Sequence, residues 1–237
     1  MNFMLPSQQI IHSVTRDKLM SRIYQAPHRT LQDQFETRRL ADRLEAEDVM
    51  DALDEHARKF VSEASMFFLS TIDPDGQPTV SYKGGLPGFV RVLSESELAF
   101  PNYDGNGMYY SCGNIAENGK VGLLFIDFEK PNRLRLHGEA RISHDDALLS
   151  QYPGAQFMVH VTLHNVFDNC PRYVHRMTLQ EHSRFVPLPN GSAPRPKWKR
   201  LDYLQEDLSA TERAQTDLEG GTVTLSDYMR GLERGEH

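Results

Sequence analysis

The sequence predicts a mainly β protein with flanking helices, an α+β fold built round one small closed β structure. Three observations carry that expectation. Residues 66–72 and 77–83 are aromatic and β-branched runs on either side of Asp73-Pro74-Asp75-Gly76, the pattern of a hairpin. Residues 120–128 and 133–142 repeat it about Glu129-Lys130-Pro131-Asn132. Residues 30–64 differ: they are charged, with Val49, Leu53, Ala57, Phe60, Val61 and Ala64 recurring at helical spacing.

In chain order, residues 1–30 carry Pro6, Pro27 and scattered apolar groups, which predicts an extended arm with a helical turn or more. The helix over 30–64 is expected to cover one end of the β structure. Asp48, Asp51, Asp54 and Glu55 beside its apolar stripe admit a metal-cluster reading, but such acidic residues more often form a solvated face. After the first hairpin, a short strand at 98–100 runs into the turn-forming residues 101–107. Residues 108–118 then read as a helix ending on Asn118-Gly119, a favoured pair at a helix C-terminus.

Ser143 and Asp146 have capping-box spacing and predict a short helix through 147–149 that stops at Pro153-Gly154. Residues 157–166 alternate, placing Val159, Val161 and Leu163 on one face of a strand and His160, Thr162 and His164 on the other. Four prolines and a glycine in 187–196 predict a surface loop. Ser209 opens a helix that ends at Gly220-Gly221, and 226–232 forms a last turn or two. The organisation is one structural domain with extensions: arm and covering helices over 1–64, core over 65–186, loop and helical extension over 187–237.

The 237 residues are 39% hydrophobic, enough for a full core, and carry a formal charge of −7. No basic face for a phosphate backbone is evident, so no nucleic-acid partner is expected. Lys197-Trp198-Lys199-Arg200 reads as a solvated loop. Cys112 and Cys170 make no disulfide framework, which fits a reducing compartment. No apolar run approaches the roughly 20 residues that span a bilayer. A soluble cytoplasmic protein, without a membrane partner, is the expectation.

Several segments occur in a familiar order: Phe67-Phe68-Leu69-Ser70-Thr71, Asp75-Gly76-Gln77-Pro78, Ser81-Tyr82-Lys83-Gly84-Gly85, Pro87-Gly88-Phe89-Val90-Arg91-Val92, Gly105-Asn106-Gly107-Met108, Gly113-Asn114-Ile115 and 121–128. Together with Asn169-Cys170-Pro171-Arg172-Tyr173 they resemble the flavin-nucleotide-binding branch of the pyridoxamine 5′-phosphate oxidase-like proteins, over about residues 60–200. The resemblance implies an FMN-binding split β-barrel, a homodimer with flavin in the groove between subunits, and a C-terminal segment that contacts the partner's cofactor. By that analogy Pro171, Arg172 and Tyr173 belong to the partner's site. Pyridoxamine phosphate oxidases proper hold their substrate with further basic residues that have no match in the Pro-rich stretch and acidic tail. Vitamin B6 oxidation is therefore not expected.

FMN needs an anion site, a flat apolar slot and hydrogen bonds to the polar edge of its ring. Gly105-Asn106-Gly107 precedes a helix, so backbone N–H groups and the helix dipole can face a phosphate. Ser111 and Asn114, one helical turn apart, add donors. Lys83 ends the second strand, Ser81 shares its face, and Gly84-Gly85 lets a ligand approach the backbone. Arg133 and Arg135 share one strand face, where cofactor contact competes with pairing to Asp127, Glu129 or Glu139; Arg91 is a further phosphate candidate. The chemistry expected is an FMN-dependent oxidoreductase acting on a small molecule, with NADH or NADPH as electron donor. No catalytic side chain or metal site is assigned, because the cofactor itself performs the transfer. A flavin carrier or sensor without turnover is the first alternative. A haem-binding or haem-degrading barrel, invited by His160 and His164, is the second.

Overall fold

The computed structural model describes residues 21–235. The predicted arm over residues 1–20 lies outside the described residues. Two compact units divide the chain after Val49. In the first, α1 (Ala26–Gln34) and α2 (Arg38–Asp48) are tied by Arg29, whose guanidinium lies 2.6 Å from Asp42 and 3.7 Å from Glu45. The single helix expected over 30–64 is instead three. Glu36, at φ 56°, leaves the helical region between α1 and α2. The third, α3 (Glu55–Glu63), belongs to the second unit and starts afresh at Asp54, whose carboxylate accepts the Ala57 N–H at 2.7 Å. Asp54 is thus a helix cap. No group of metal-ligating side chains occurs among the described residues.

The second unit is organised by seven antiparallel strands: β1 (Met66–Ile72), β2 (Pro78–Gly84), β3 (Arg91–Val92), β4 (Glu97–Tyr103), β5 (Lys120–Asp127), β6 (Asn132–Ser143) and β7 (Ala155–Asp168). Their order is β2-β1-β5-β6-β7-β4-β3. Both predicted hairpins form: Phe67 pairs with Lys83 in the first, and Leu123 with Leu136 in the second. Although β1 and β4 lie near opposite ends of this order, the Phe67 and Phe100 rings meet edge to face at 5.1 Å. Phe67 also stacks on Phe125 at 5.0 Å. Only a sheet curled on itself brings those rings together, so the architecture is a β-barrel whose end strands do not pair. Leu53, Ala57 and Val61 at and near α3 close the same core, the covering role expected of the helical segment.

Strand alternation decides the inward set. Leu123, Phe125, Leu134 and Leu136 are each at most 2% exposed, whereas their neighbours in sequence face outward. Gly138 sits at a register shift between β6 and β7, where an added Cβ would lie 2.2 Å from the Thr162 carbonyl oxygen; glycine is required by that close approach.

α4 (Tyr110–Asn118) ends at Gly119 in the left-handed region, φ 69°, as its Asn-Gly pair predicts. The short helix after β6 is a 3₁₀ turn (Ala147–Gln151) capped by Asp146, which accepts the Leu148 N–H at 2.9 Å; Ser143 ends β6 and is not the cap. The predicted C-terminal helices are present as α5 (Ala210–Leu218), capped by Ser209, and α6 (Leu225–Glu233), capped by Thr224. Lys197–Arg200 is not a solvated loop but a 3₁₀ turn in which Lys199 is buried. No helix of the described residues is long and apolar enough to cross a membrane.

Candidate functional site

The candidate site begins with three consecutive structural choices after β4. Asn106 bends the loop through its side chain, which accepts the Met108 N–H at 3.0 Å. Gly107 follows at φ +78°, with nothing within 4 Å of where a Cβ would stand. Tyr109 then enters α4 from the left-handed region at φ 48°, an arrangement rare for a bulky residue, and no side chain caps the helix at that position. The first-turn N–H groups of α4 therefore open toward the Gly105–Gly107 loop with the positive end of the helix dipole behind them.

β2 supplies the opposite wall. Alternation turns Thr79, Ser81 and Lys83 to this side, and with the loop and Ser111 they line a pocket of about 450 Å³. The Ser111 hydroxyl donates to Ser81 Oγ at 3.1 Å, so the two hydroxyls converge. Among the described residues Lys83 pairs with no carboxylate. Burial pushes the neighbouring Cys112 thiol up, and the Lys83 ammonium acts against that shift. An unpaired cation, two hydroxyls and open backbone N–H groups make a donor set that suits an anion with several oxygens, such as a phosphate monoester. Thr79, Tyr109 and Tyr110 also line the pocket, and nothing in their spacing singled them out.

The other expected residues fall elsewhere. Asn114 is 5% exposed and donates to Thr71 Oγ1 at 3.0 Å, so its amide ties α4 to β1. At Gly85 a Cβ would stand 2.4 Å from the Phe89 ring, so the glycine makes room for that core residue. At Gly84 a Cβ would lie 2.7 Å from the Tyr82 ring. Arg91 reaches Gln151 Oε1 at 2.9 Å, outside the pocket.

Arg133 and Arg135 do share a face of β6, flanking the buried Leu134. Neither adopts the expected pairing with Asp127, Glu129 or Glu139. Arg133 donates to the Cys170 carbonyl at 2.7 Å, and Arg135 lies over the Phe167 ring at 5.6 Å. Burial, followed by the charge of Arg133, lowers the pKa of Arg135. Arg133 thus reaches the coil that carries Pro171, Arg172 and Tyr173, where Tyr173 is 85% exposed, while Arg135 packs on the end of β7 just before it. The candidate residues form two sets, one at β2 and α4 and one at β6 and residues 169–173.

The histidine pair also separates. Between β4, β7 and the 3₁₀ turn, His160 Nδ1 lies 3.0 Å from Glu97 Oε1 and Nε2 2.5 Å from Asp146 Oδ2. His164 is exposed, four residues further along the strand. The Leu148 N–H bond holds the Asp146 carboxyl below the usual carboxylate range against the opposing effect of burial, and His160 and Ser143 add to the lowering.

A curled antiparallel sheet with flanking helices, whose end strands do not pair, defines a split β-barrel protein. The family model for pyridoxamine 5′-phosphate oxidase matches residues 53–174, just over half of the 237 residues. The chain belongs to that family. Similar solved structures include a Lactobacillus delbrueckii protein assigned as a pyridoxamine 5′-phosphate oxidase, 25% identical, with TM-score 0.42 over 50% of this chain and 95% of that one. An FMN-binding protein from Syntrophomonas wolfei is 14% identical, with TM-score 0.38 over 60% and 96%. HupZ from Group A Streptococcus is 16% identical, with TM-score 0.41 over 53% and 99%. No curated protein matches the chain.

Proposed function

We propose that the protein binds FMN and uses it to oxidise or reduce a small molecule, with NADH or NADPH as electron donor. The observation that carries this reading is the pocket in which unpaired Lys83, the Ser81 and Ser111 hydroxyls and the uncapped start of α4 converge. These groups match a phosphate monoester, and family membership makes FMN its natural bearer. Once bound, the flavin ring supplies the hydride or electron transfer. The chain's part is to hold the phosphate, fix the ring's direction and shed water round it.

A homodimer with shared sites is part of the same proposal. β2 is an edge strand whose outward Val80 and Tyr82 are 64% and 62% exposed, and Met108 beside the pocket is 70% exposed. Apolar side chains so placed favour a covering partner. A twofold contact would also lay the arginine set of one subunit against the pocket of the other. Its test pairs an Arg172→Ala chain with a Lys83→Ala chain. If Arg172 reaches across, half of the sites in each heterodimer carry neither lesion and bind FMN at full strength, whereas a site built within one subunit always keeps a lesion.

The absorbance spectrum of the purified protein, with the mass of the small molecule released on denaturation, tests the cofactor. A flavin spectrum and the mass of FMN are expected; a haem spectrum or another mass rejects the reading. Anaerobic NADH or NADPH then bleaches the flavin of an enzyme and leaves that of a carrier or sensor unchanged.

A further inference from the structure

Lys199 is a cation placed where cations are costly. It is 6% exposed, and its ammonium lies 2.5 Å from Asp104 Oδ2 and 2.8 Å from Glu212 Oε1. A lysine is almost never buried so far unless it is paired. The pairing is part of a built network. Arg195 binds the same Glu212 through Oε2 at 2.7 Å and through its carbonyl at 3.0 Å, and reaches Glu219 at 3.1 Å and the buried Thr216 hydroxyl at 3.1 Å. Burial opposes the Lys199 charge, but Asp104 and Glu212 outweigh it and raise its pKa.

All but one of these groups come from residues 195–219. The exception is Asp104, which immediately precedes Gly105-Asn106-Gly107. A groove of about 490 Å³, lined by Tyr103, Gly105, Pro194 and Trp198, lies between the loop and the C-terminal segment, and the Lys199–Asp104 pair is a strut that joins its two walls. Within residues 104–108 the other hydrogen bond among the described residues, Met108 to Asn106, is internal to the loop and fixes its bend but not its position.

We propose that Lys199 is a positioning residue for the anion site: through Asp104, the C-terminal segment holds the Gly105–Gly107 loop in the shape that meets a phosphate. The claim about phosphate rests on the flavin reading above, whereas the claim that the strut holds the loop does not. A break in the pair leaves the fold of the barrel intact and lets the loop sample other shapes, so phosphate binding must then order it.

The test compares the full chain with Asp104→Asn, which removes only the loop's end of the pair and leaves Lys199 with Glu212, and with Lys199→Met. Amide hydrogen exchange over 103–111, without flavin, reports the strut; titrations with FMN and riboflavin report the site. Exchange in the loop is expected to accelerate roughly tenfold, while β5 and β6 keep their protection. FMN affinity is expected to fall roughly fivefold to hundredfold, the range typical of coupling between sites, with riboflavin affinity unchanged. Unchanged loop exchange in a folded Asp104→Asn protein overturns the strut. A loosened loop with intact FMN affinity, or an equal loss for riboflavin, overturns its role at the phosphate. If the unaltered protein binds FMN no tighter than riboflavin, the phosphate reading fails while the exchange comparison still decides the strut.

Discussion

Replacing Lys83 with alanine isolates the charge at the pocket from the rest of the fold. Because Lys83 pairs with no carboxylate among the described residues, its removal leaves no anion stranded. It lies next to last in an edge strand, so the change in folding stability is expected to stay within about 0.5 kcal/mol. Binding should respond differently. A charge-assisted hydrogen bond from the ammonium to a phosphate oxygen contributes about 1.5–3 kcal/mol, and losing it weakens FMN roughly tenfold to 150-fold. Fluorescence titration of the flavin-free protein measures this directly, and riboflavin serves as the control because it lacks the phosphate. Riboflavin affinity should be unchanged in Lys83→Ala and already weak in the unaltered protein. An intact FMN affinity in a folded Lys83→Ala protein would remove the residue from the site. An equal loss for both ligands would place the ammonium at the ring instead.

Ser111→Ala and Asn114→Ala should part company although one helical turn separates them. The first lowers FMN affinity at nearly constant stability, and the second costs about 1–3 kcal/mol in chemical denaturation because Thr71, 1% exposed, loses its partner. Gly85→Ala is expected to destabilise by about 1–3 kcal/mol through its clash with Phe89, with FMN affinity per folded molecule retained; a selective binding loss would restore Gly85 to the site. Asp146 has a depressed folded-state pKa, so its stabilisation is present above the unfolded carboxylate pKa and is lost as pH falls through the folded value. Stability should therefore drop as pH falls below about 4, and Asp146→Asn should flatten that slope in melting curves taken across acid pH.

The barrel was legible because its signals are local. Period-two alternation, the Asp73-Pro74-Asp75-Gly76 turn and the Asn118-Gly119 stop each act over a few residues, and each element they announce is present. The helical stretch over 30–64 was misjudged because its apolar spacing continues in sequence across breaks made by Glu36 and by the new cap at Asp54. Of the pocket's lining, Lys83 was singled out by its place at the end of the second strand before Gly84-Gly85, Ser81 by the family-like segment it belongs to, and Ser111 by its position on α4. Asn114 was placed at the site by the same helical spacing, but its partner Thr71 lies 43 residues away and no local pattern announces it. Lys199 shows the same limit more strongly. In sequence it belongs to a basic run that reads as solvated, and its burial is made tolerable by Glu212 and by Asp104, the latter arriving from 95 residues away.

The partners of His160 on β7 bear on the haem alternative. A haem ligand must offer a nitrogen lone pair to iron, and the histidines that do so present it to an open face. His160 has a carboxylate against each ring nitrogen, Glu97 on one side and Asp146 on the other. Turning Nε2 to a metal would give up its contact with Asp146 at 2.5 Å and break the join between β7 and the 3₁₀ turn that precedes it. His160 is therefore a brace between β4, β7 and the 3₁₀ turn, and the haem reading loses the buried half of the pair on which it rested. The anion cradle suffers no such conflict: Lys83, Ser81, Ser111 and the start of α4 can turn toward a phosphate without giving up an ion pair or a cap. That difference in what must be broken is why the geometry favours a flavin nucleotide.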